Sequence, residues 1–156
     1  MKIETILPPA EIARIQPGDN QNAVCVVFDV LRATTSMVTA LASGAVAIHP
    51  VLSIPEALAL REKIPGALLG GERNGDRIAG FDLGNSPSEY TRCAGKEIIT
   101  TTTNGTVALR ACASARLLLA ASFPNLGVTA GRVLQAAPDV VRVVCAGTFE
   151  TFALED

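Results

Sequence analysis

The sequence predicts an α/β fold, a mostly parallel sheet with helices on both faces. Three observations predict it. Short apolar, β-rich runs alternate with stretches of 3.6-residue apolar spacing, the pattern of strand–helix–strand units. The expected strands are apolar almost throughout, as strands buried on both faces are. Aromatic residues are scarce, five Phe, one Tyr and no Trp, so Ala, Val, Leu and Ile must fill the core.

In chain order, strands are expected at Lys2–Leu7, Ala23–Val30, Val46–Val51, Ala67–Gly71, Glu97–Thr102, Arg116–Ala121 and Val140–Cys145. Helices are expected at Thr35–Ser43, Pro55–Ile64, Pro87–Cys93, Thr106–Ala113 and Leu126–Ala137. Met37, Val38, Leu41 and Ala45 carry the helical period in the first of these. Ser53-Ile54-Pro55-Glu56 has the form of a capping box with proline in the first turn. Gly44, Gly66 and Gly95 fall where helices should stop. The pattern ends at Thr148–Asp156, straight after a strand and without a covering helix, which predicts a fragment or a short variant.

The 156 residues suit one domain, with 49% apolar and 18% charged residues. Thirteen basic against fifteen acidic residues, with no Lys/Arg run, argue against a nucleic-acid surface. No stretch approaches ~18 uninterrupted apolar residues, so no membrane span is expected. The start, Met1-Lys2-Ile3-Glu4-Thr5, lacks the pattern of a signal peptide, and a cytoplasmic location is expected. Cys25, Cys93, Cys112 and Cys145 are widely separated, which suits reduced thiols rather than a zinc site. Cys25 and Cys112 read as core residues. His49, the single histidine, reads as a packed or rim residue, so histidine-based catalysis has little support.

In a parallel α/β sheet, ligands bind beyond the carboxyl ends of the strands, and every unusual polar cluster lies there. One strand ends in Asp29, followed by Arg32 and by Thr34, Thr35 and Ser36 at a helix start. A helix N-terminus suits a phosphate and Arg32 can clamp it. Asp29 can bind Mg²⁺ or attack phosphorus, or simply cap the helix. Gly70-Gly71-Glu72-Arg73 combines paired glycines, which allow close approach of backbone to a ligand, with a carboxylate and a second anion clamp. A solvated turn is the plainer reading. Asp82 adds a third oxygen ligand in the next segment. Asn85 and Ser86 precede Pro87, as binding groups or as an N-cap. Thr103, Asn104, Gly105 and Thr106 end a threonine-rich strand and turn into a helix, a phosphate cradle without the P-loop lysine. Cys145 is a candidate nucleophile or a packed thiol. Asp29, Glu72 and Asp82 are oxygen donors, which point to Mg²⁺.

Phe28-Asp29-Val30-Leu31-Arg32-Ala33-Thr34-Thr35, Gly71-Glu72-Arg73, Phe81-Asp82-Leu83-Gly84-Asn85-Ser86-Pro87, Thr102-Thr103-Asn104-Gly105-Thr106 and Cys145-Ala146-Gly147 together resemble the motif series of 2-phosphosulfolactate phosphatases. Order and spacing match from about residue 20 onward. The resemblance implies the α/β fold of that family and Mg²⁺-dependent hydrolysis of 2-phospho-3-sulfolactate to 3-sulfolactate and phosphate, a step of coenzyme M biosynthesis in methanogens. Family members continue past residue 156, so the resemblance implies a single domain over 1–156 that lacks the family's C-terminal segment. The expected partner is a small anionic phosphorylated substrate, with a second copy of the chain as a plausible homodimer partner. The attacking group is a metal-activated water, Asp29 or Cys145. Asp29 resembles the first aspartate of haloacid-dehalogenase phosphatases, but Leu31 stands where their second one falls, which favours Asp29 as ligand or base. Two other readings are a phosphatase for a different small phosphorylated hydroxy acid and a non-catalytic anion-binding domain.

Overall fold

A computed structural model describes residues 1–16, 18–149 and 151–156; Glu150, within the C-terminal run read above, lies outside the described residues. The elements are β1 (Lys2–Ile6), α1 (Pro9–Ile12), β2 (Ala23–Phe28), α2 (Ala33–Ala42), β3 (Ala47–Pro50), α3 (Ile54–Lys63), β4 (Leu68–Arg73), β5 (Asp76–Arg77), β6 (Glu97–Thr101), α4 (Gly105–Ala111), β7 (Leu117–Ala121), α5 (Leu126–Ala136) and β8 (Val140–Cys145). All seven expected strands form, with slightly shifted ends. The helix expected at Pro87–Cys93 is instead a 3₁₀ helix over Pro87–Arg92. Tyr90 fastens it by donating its hydroxyl to the Gly84 carbonyl at 2.7 Å.

The α/β class holds, but the strands divide into two four-stranded sheets, ordered β1-β8-β2-β7 and β3-β6-β4-β5. The first is parallel throughout, with Val24 beside both Val141 and Leu117. The second is parallel except for the β4–β5 hairpin, where Glu72 faces Arg77 and Arg73 faces Asp76. That hairpin turns through Asn74 and Gly75 at φ of 56° and 86°. Both values are left-handed, as Asn-Gly two-residue turns require.

Helix α2 explains the division. Its Met37 packs with Cys25, Val27 and Val144 of the first sheet, whereas Ala40 packs with Ile98 of the second and with Tyr90. A helix that is apolar on two sides needs an apolar surface on each. Helix α4 lies beside it, with Ala108 and Leu109 in the same core as Cys25 and partly buried Ile48 of β3. Helix α3 covers the other face of the second sheet with Ala57 against Leu69 and Ile99. Helix α5 covers the other face of the first with Val133 against Val24, Val26 and Val141. Each fully buried valine here contributes ~1.5–3 kcal/mol through removal of apolar area from water.

The four cysteines are buried free thiols, and Cys25 and Cys112 meet in the core as expected. His49 pairs with Glu97 at 2.7 Å across β3 and β6. No helix among the described residues is long and apolar enough to cross a membrane.

Candidate active site

Because β2 and β8 of one sheet and β4 and β6 of the other end on the same side, their loops enclose a cleft of about 180 Å³. Asp29 and Arg32 come from the loop after β2, and Glu72 from the end of β4. Thr103 and Asn104 follow β6, and Asn85 enters from the segment before the 3₁₀ helix. The cleft therefore gathers six of the residues expected from the sequence. It adds Leu31, the hairpin turn at Asn74 and Gly75, and Gly147 to Phe149 after β8. The turn had a readable signal, the Asn-Gly pair; the position of Phe149 had none.

Asp29 is the centre of this arrangement. It is 7% exposed, and its Oδ1 accepts the Ala33 N–H at 2.9 Å at the start of α2. The α2 N-terminus expected to cradle a phosphate is thus filled by the chain's own carboxylate. Helix α4 begins against the other oxygen: a Cβ on Gly105 would lie 2.6 Å from Asp29 Oδ2 and 2.7 Å from the Ala33 methyl. Gly105 is required by close approach, not by its backbone angles. Burial pushes the Asp29 carboxyl up to about 6, and the nearby Asp156 and Glu72 charges add to the shift. The Ala33 and Arg32 backbone N–H groups oppose it.

The hydroxyls expected on substrate point inward. Thr34 accepts the Asp29 N–H at 3.1 Å and donates to the Asp29 carbonyl at 2.9 Å. Thr35 donates to the Val30 carbonyl at 2.7 Å, and Ser36 to the Asn85 carbonyl at 3.0 Å. Thr106 bonds back to the Thr102 carbonyl at 3.0 Å, and Ser86 pairs with Ser88. The Thr34, Thr35, Ser36 and Thr106 hydroxyls each satisfy a backbone group that would otherwise be orphaned, whereas Ser86 meets an exposed side-chain hydroxyl.

Glu72 braces two walls. Its Oε1 accepts the Thr103 N–H at 2.6 Å, while Oε2 accepts the Gly75 N–H at 2.8 Å and the Thr103 hydroxyl at 3.2 Å. Arg73 turns away from the cleft, donating to the Glu72 carbonyl at 2.7 Å and the Thr101 hydroxyl at 2.8 Å. Asp82 does not join Asp29 and Glu72, for it accepts the Leu69 N–H at 2.8 Å and pairs with Arg61 at 3.4 Å. Among the described residues, no three His, Cys, Asp or Glu side chains form a ready cation centre. Cys145 is 3% exposed. Burial, with Asp156 nearby, pushes its thiol up, away from the nucleophilic thiolate.

Arg32 stays on the rim, donating to the Gly75 carbonyl at 3.0 Å across the mouth of the cleft. Among the described residues it is the one cationic side chain lining the cleft, against two carboxylates. A polyanion entering alone would meet net repulsion. A divalent cation beside Asp29 reverses that sign, and Mg²⁺ is commonly held through one or two carboxylates completed by substrate oxygens and water. Asp29 is the side chain of the cleft that could hold such an ion.

A model of the family described as 2-phosphosulpholactate phosphatase matches residues 11–156. A protein of Carboxydothermus hydrogenoformans named "Probable 2-phosphosulfolactate phosphatase" is 48% identical over 156 residues, covering 100% of this chain and 63% of that protein. A protein of the same name from Caldicellulosiruptor saccharolyticus is 44% identical over 142 residues, 87% of this chain and 59% of its own length. One from Deinococcus radiodurans, again of that name, is 43% identical over 143 residues, 90% of this chain and 60% of its own. The chain thus spans about three-fifths of the length of these curated relatives.

Proposed function

The chain belongs to the 2-phosphosulpholactate phosphatase family, and from that premise we propose that its cleft binds 2-phospho-3-sulfolactate and, with Mg²⁺, releases 3-sulfolactate and phosphate. The reading places the chain in the cytoplasm, in the step that leads toward coenzyme M. The observation that carries it is the buried Asp29 carboxylate, held by the start of α2 and facing a cleft whose rim carries Arg32.

The residues divide the work. Asp29 would hold the ion. Mg²⁺ held there would supply charge neutralisation and Lewis acidity for phosphoryl transfer. Arg32 exchanges the neutral Gly75 carbonyl for a substrate anion, gaining an ion pair where it had a bond to an uncharged acceptor. Glu72 keeps the Thr103–Asn104 loop and the hairpin turn at a constant separation, so that the cleft admits a compact acid. Water attacks phosphorus, the bond from phosphorus to the C2 oxygen breaks, and the proton given up by the water ends on the leaving oxygen. Cys145 is a poor competitor for the attack, since its thiol is buried and protonated.

Phosphate release from 2-phosphosulfolactate, 2-phospholactate and 2-phosphoglycolate, each with Mg²⁺ and with EDTA, tests the reading. The expected result is the highest kcat/KM for phosphosulfolactate and a loss of about 100-fold or more on chelation. Another preferred phosphorylated acid would move the substrate, and no release from any of them would sink the phosphatase.

Arg32→Ala is expected to raise KM roughly 10–100-fold, the worth of one charge-assisted hydrogen bond, with the thermal midpoint almost unchanged because the side chain is on the rim. Arg32→Lys should restore part of the loss, the single charge without the bidentate fork. Steady-state kinetics and a melting curve on each variant check both statements.

A further inference from the structure

Asp156 is half-buried beneath the cleft and has no part in the chemistry above. Its carboxylate accepts two backbone N–H groups from different strand ends. Oδ1 takes that of Val30 at 2.8 Å, and Oδ2 takes that of Gly147 at 2.9 Å. Each donor adjoins a group of the cleft. Val30 follows Asp29 directly, and the Gly147 carbonyl accepts the Asn104 side-chain amide at 2.8 Å. The Ala146 N–H, donating to the Phe28 carbonyl at 2.8 Å, carries the β8–β2 pairing up to the same point. One carboxylate thus joins the loops after β2 and β8 directly, and the loop after β6 through Gly147.

Two features make this join specific. Two donors need two acceptor oxygens, which a carboxylate has; an asparagine offers one oxygen and would turn its NH₂ toward the other N–H. Charged acceptors also hold backbone N–H groups more strongly than neutral ones. Gly147, for its part, has little room to shift. It sits at φ 69°, and a Cβ there would lie 2.5 Å from the Thr151 carbonyl and 2.8 Å from Pro9 Cγ.

We propose that Asp156 is a positioning residue of the cleft, its carboxylate fixing the Val30 and Gly147 backbone so that Asp29 and Asn104 face one bound ligand. The role rests on the phosphatase reading for its kinetic consequence, and on geometry alone for its effect on anion binding.

The test uses the whole chain as wild type, Asp156→Asn and Asp156→Glu. Four readouts are taken: kcat and KM with phosphosulfolactate and Mg²⁺, amide hydrogen exchange, the melting curve, and titration with inorganic phosphate in the presence of Mg²⁺ followed by amide chemical shifts. Asp156→Asn is expected to lower kcat about 10–100-fold, as loss of an orienting partner does, with KM within about threefold. Exchange should quicken at Val30 and Gly147 while the interior of β2 stays protected. Asp156→Glu, which keeps both oxygens, should recover part of kcat. Unchanged kcat in a folded Asp156→Asn whose two amides have lost protection overturns the proposal, as does a kcat loss with exchange quickened throughout the chain. Should Asp156→Asn not fold, Asp156→Glu must show the kcat fall at constant KM, and wild-type kcat overturns the proposal. A wild type that hydrolyses nothing defeats the phosphatase reading alone. Phosphate that shifts the Asp29 and Asn104 amides together in the wild type but no longer together in the variant then supports positioning, and the same pattern of shifts in both proteins, or no shift in either, overturns it.

Discussion

Asp29→Asn is expected to make the folded chain more stable and to abolish the proposed turnover. The carboxyl rises from 3.8 in the unfolded reference to about 6 in the fold, mainly through burial. The folded chain therefore binds this proton more tightly than the unfolded chain does. The stability that follows is present in full below pH ~4 and is lost as pH rises through ~6. Above that range the buried charge costs roughly 3 kcal/mol. Asparagine keeps an oxygen for the Ala33 N–H and carries no charge. Denaturation in EDTA should show the variant more stable by up to about 3 kcal/mol at pH 8, with the difference closing toward pH 4. Turnover should fall roughly 10²–10⁴-fold, since neither cation nor proton has its anionic partner. A variant no more stable at pH 8 than at pH 4 would show that Asp29 is not strained by burial. One that retained Mg²⁺-dependent turnover would remove Asp29 from the mechanism.

This exchange of stability for function explains which parts of the site could be read in advance. The places of the polar clusters were legible because strand–helix alternation puts loops at strand ends, and the rule for open α/β sheets selects the carboxyl ends. Residues as far apart as Asp29 and Asn104 meet for that reason, while Asn85 arrives from the segment before the 3₁₀ helix. The directions of side chains were not legible. Thr34, Thr35 and Ser36 read as a triplet of donors for substrate, yet each hydroxyl meets a nearby carbonyl first. Helix α2 has no Ser, Thr, Asn or Asp at its cap position, Arg32. Asp29, four residues before Ala33, does that work instead. Spacing alone does not distinguish a carboxylate that caps from one that binds, and here the same group can do both.

The division into two sheets was equally hidden. Alternation predicts parallel neighbours but not which strand pairs with which, and β3 joins β6 rather than β2, with α2 and α4 packed between the two sheets. Asp82 shows the same limit. It falls in a motif with Asn85, but the chain between them turns, so that Asn85 reaches the cleft and Asp82 ties β4 to its own loop. In each case the local pattern was sound and tertiary contact decided the outcome.

The paired glycines put this contrast to its sharpest use. Gly70-Gly71 suggests a backbone bared for a ligand, but neither glycine lines the cleft. A Cβ on Gly70 would lie 2.5 Å from the Tyr90 hydroxyl oxygen, and one on Gly71 2.0 Å from the Thr101 carbonyl oxygen, on the neighbouring strand β6. Gly71 also has φ 138°, which side-chain-bearing residues rarely adopt. Gly71→Ala therefore meets a backbone atom that cannot swing aside, and β4 must leave β6. A loss of about 4 kcal/mol or more is expected, a fall of roughly 10–15 °C in thermal midpoint. Gly75→Ala is the matched comparison. It too has a left-handed φ, 86°, but nothing within 4 Å of its Cβ position, so only backbone strain of about 1 kcal/mol is at stake. Equal melting shifts in the two variants would show that conformation, not contact with Thr101, makes Gly71 necessary. The consequence reaches the cleft directly, because Glu72 follows Gly71 and its carboxylate holds Thr103 and Gly75. A β4 displaced from β6 separates those two walls, and a Gly71→Ala chain that still folds should lose phosphate release even where its melting curve survives.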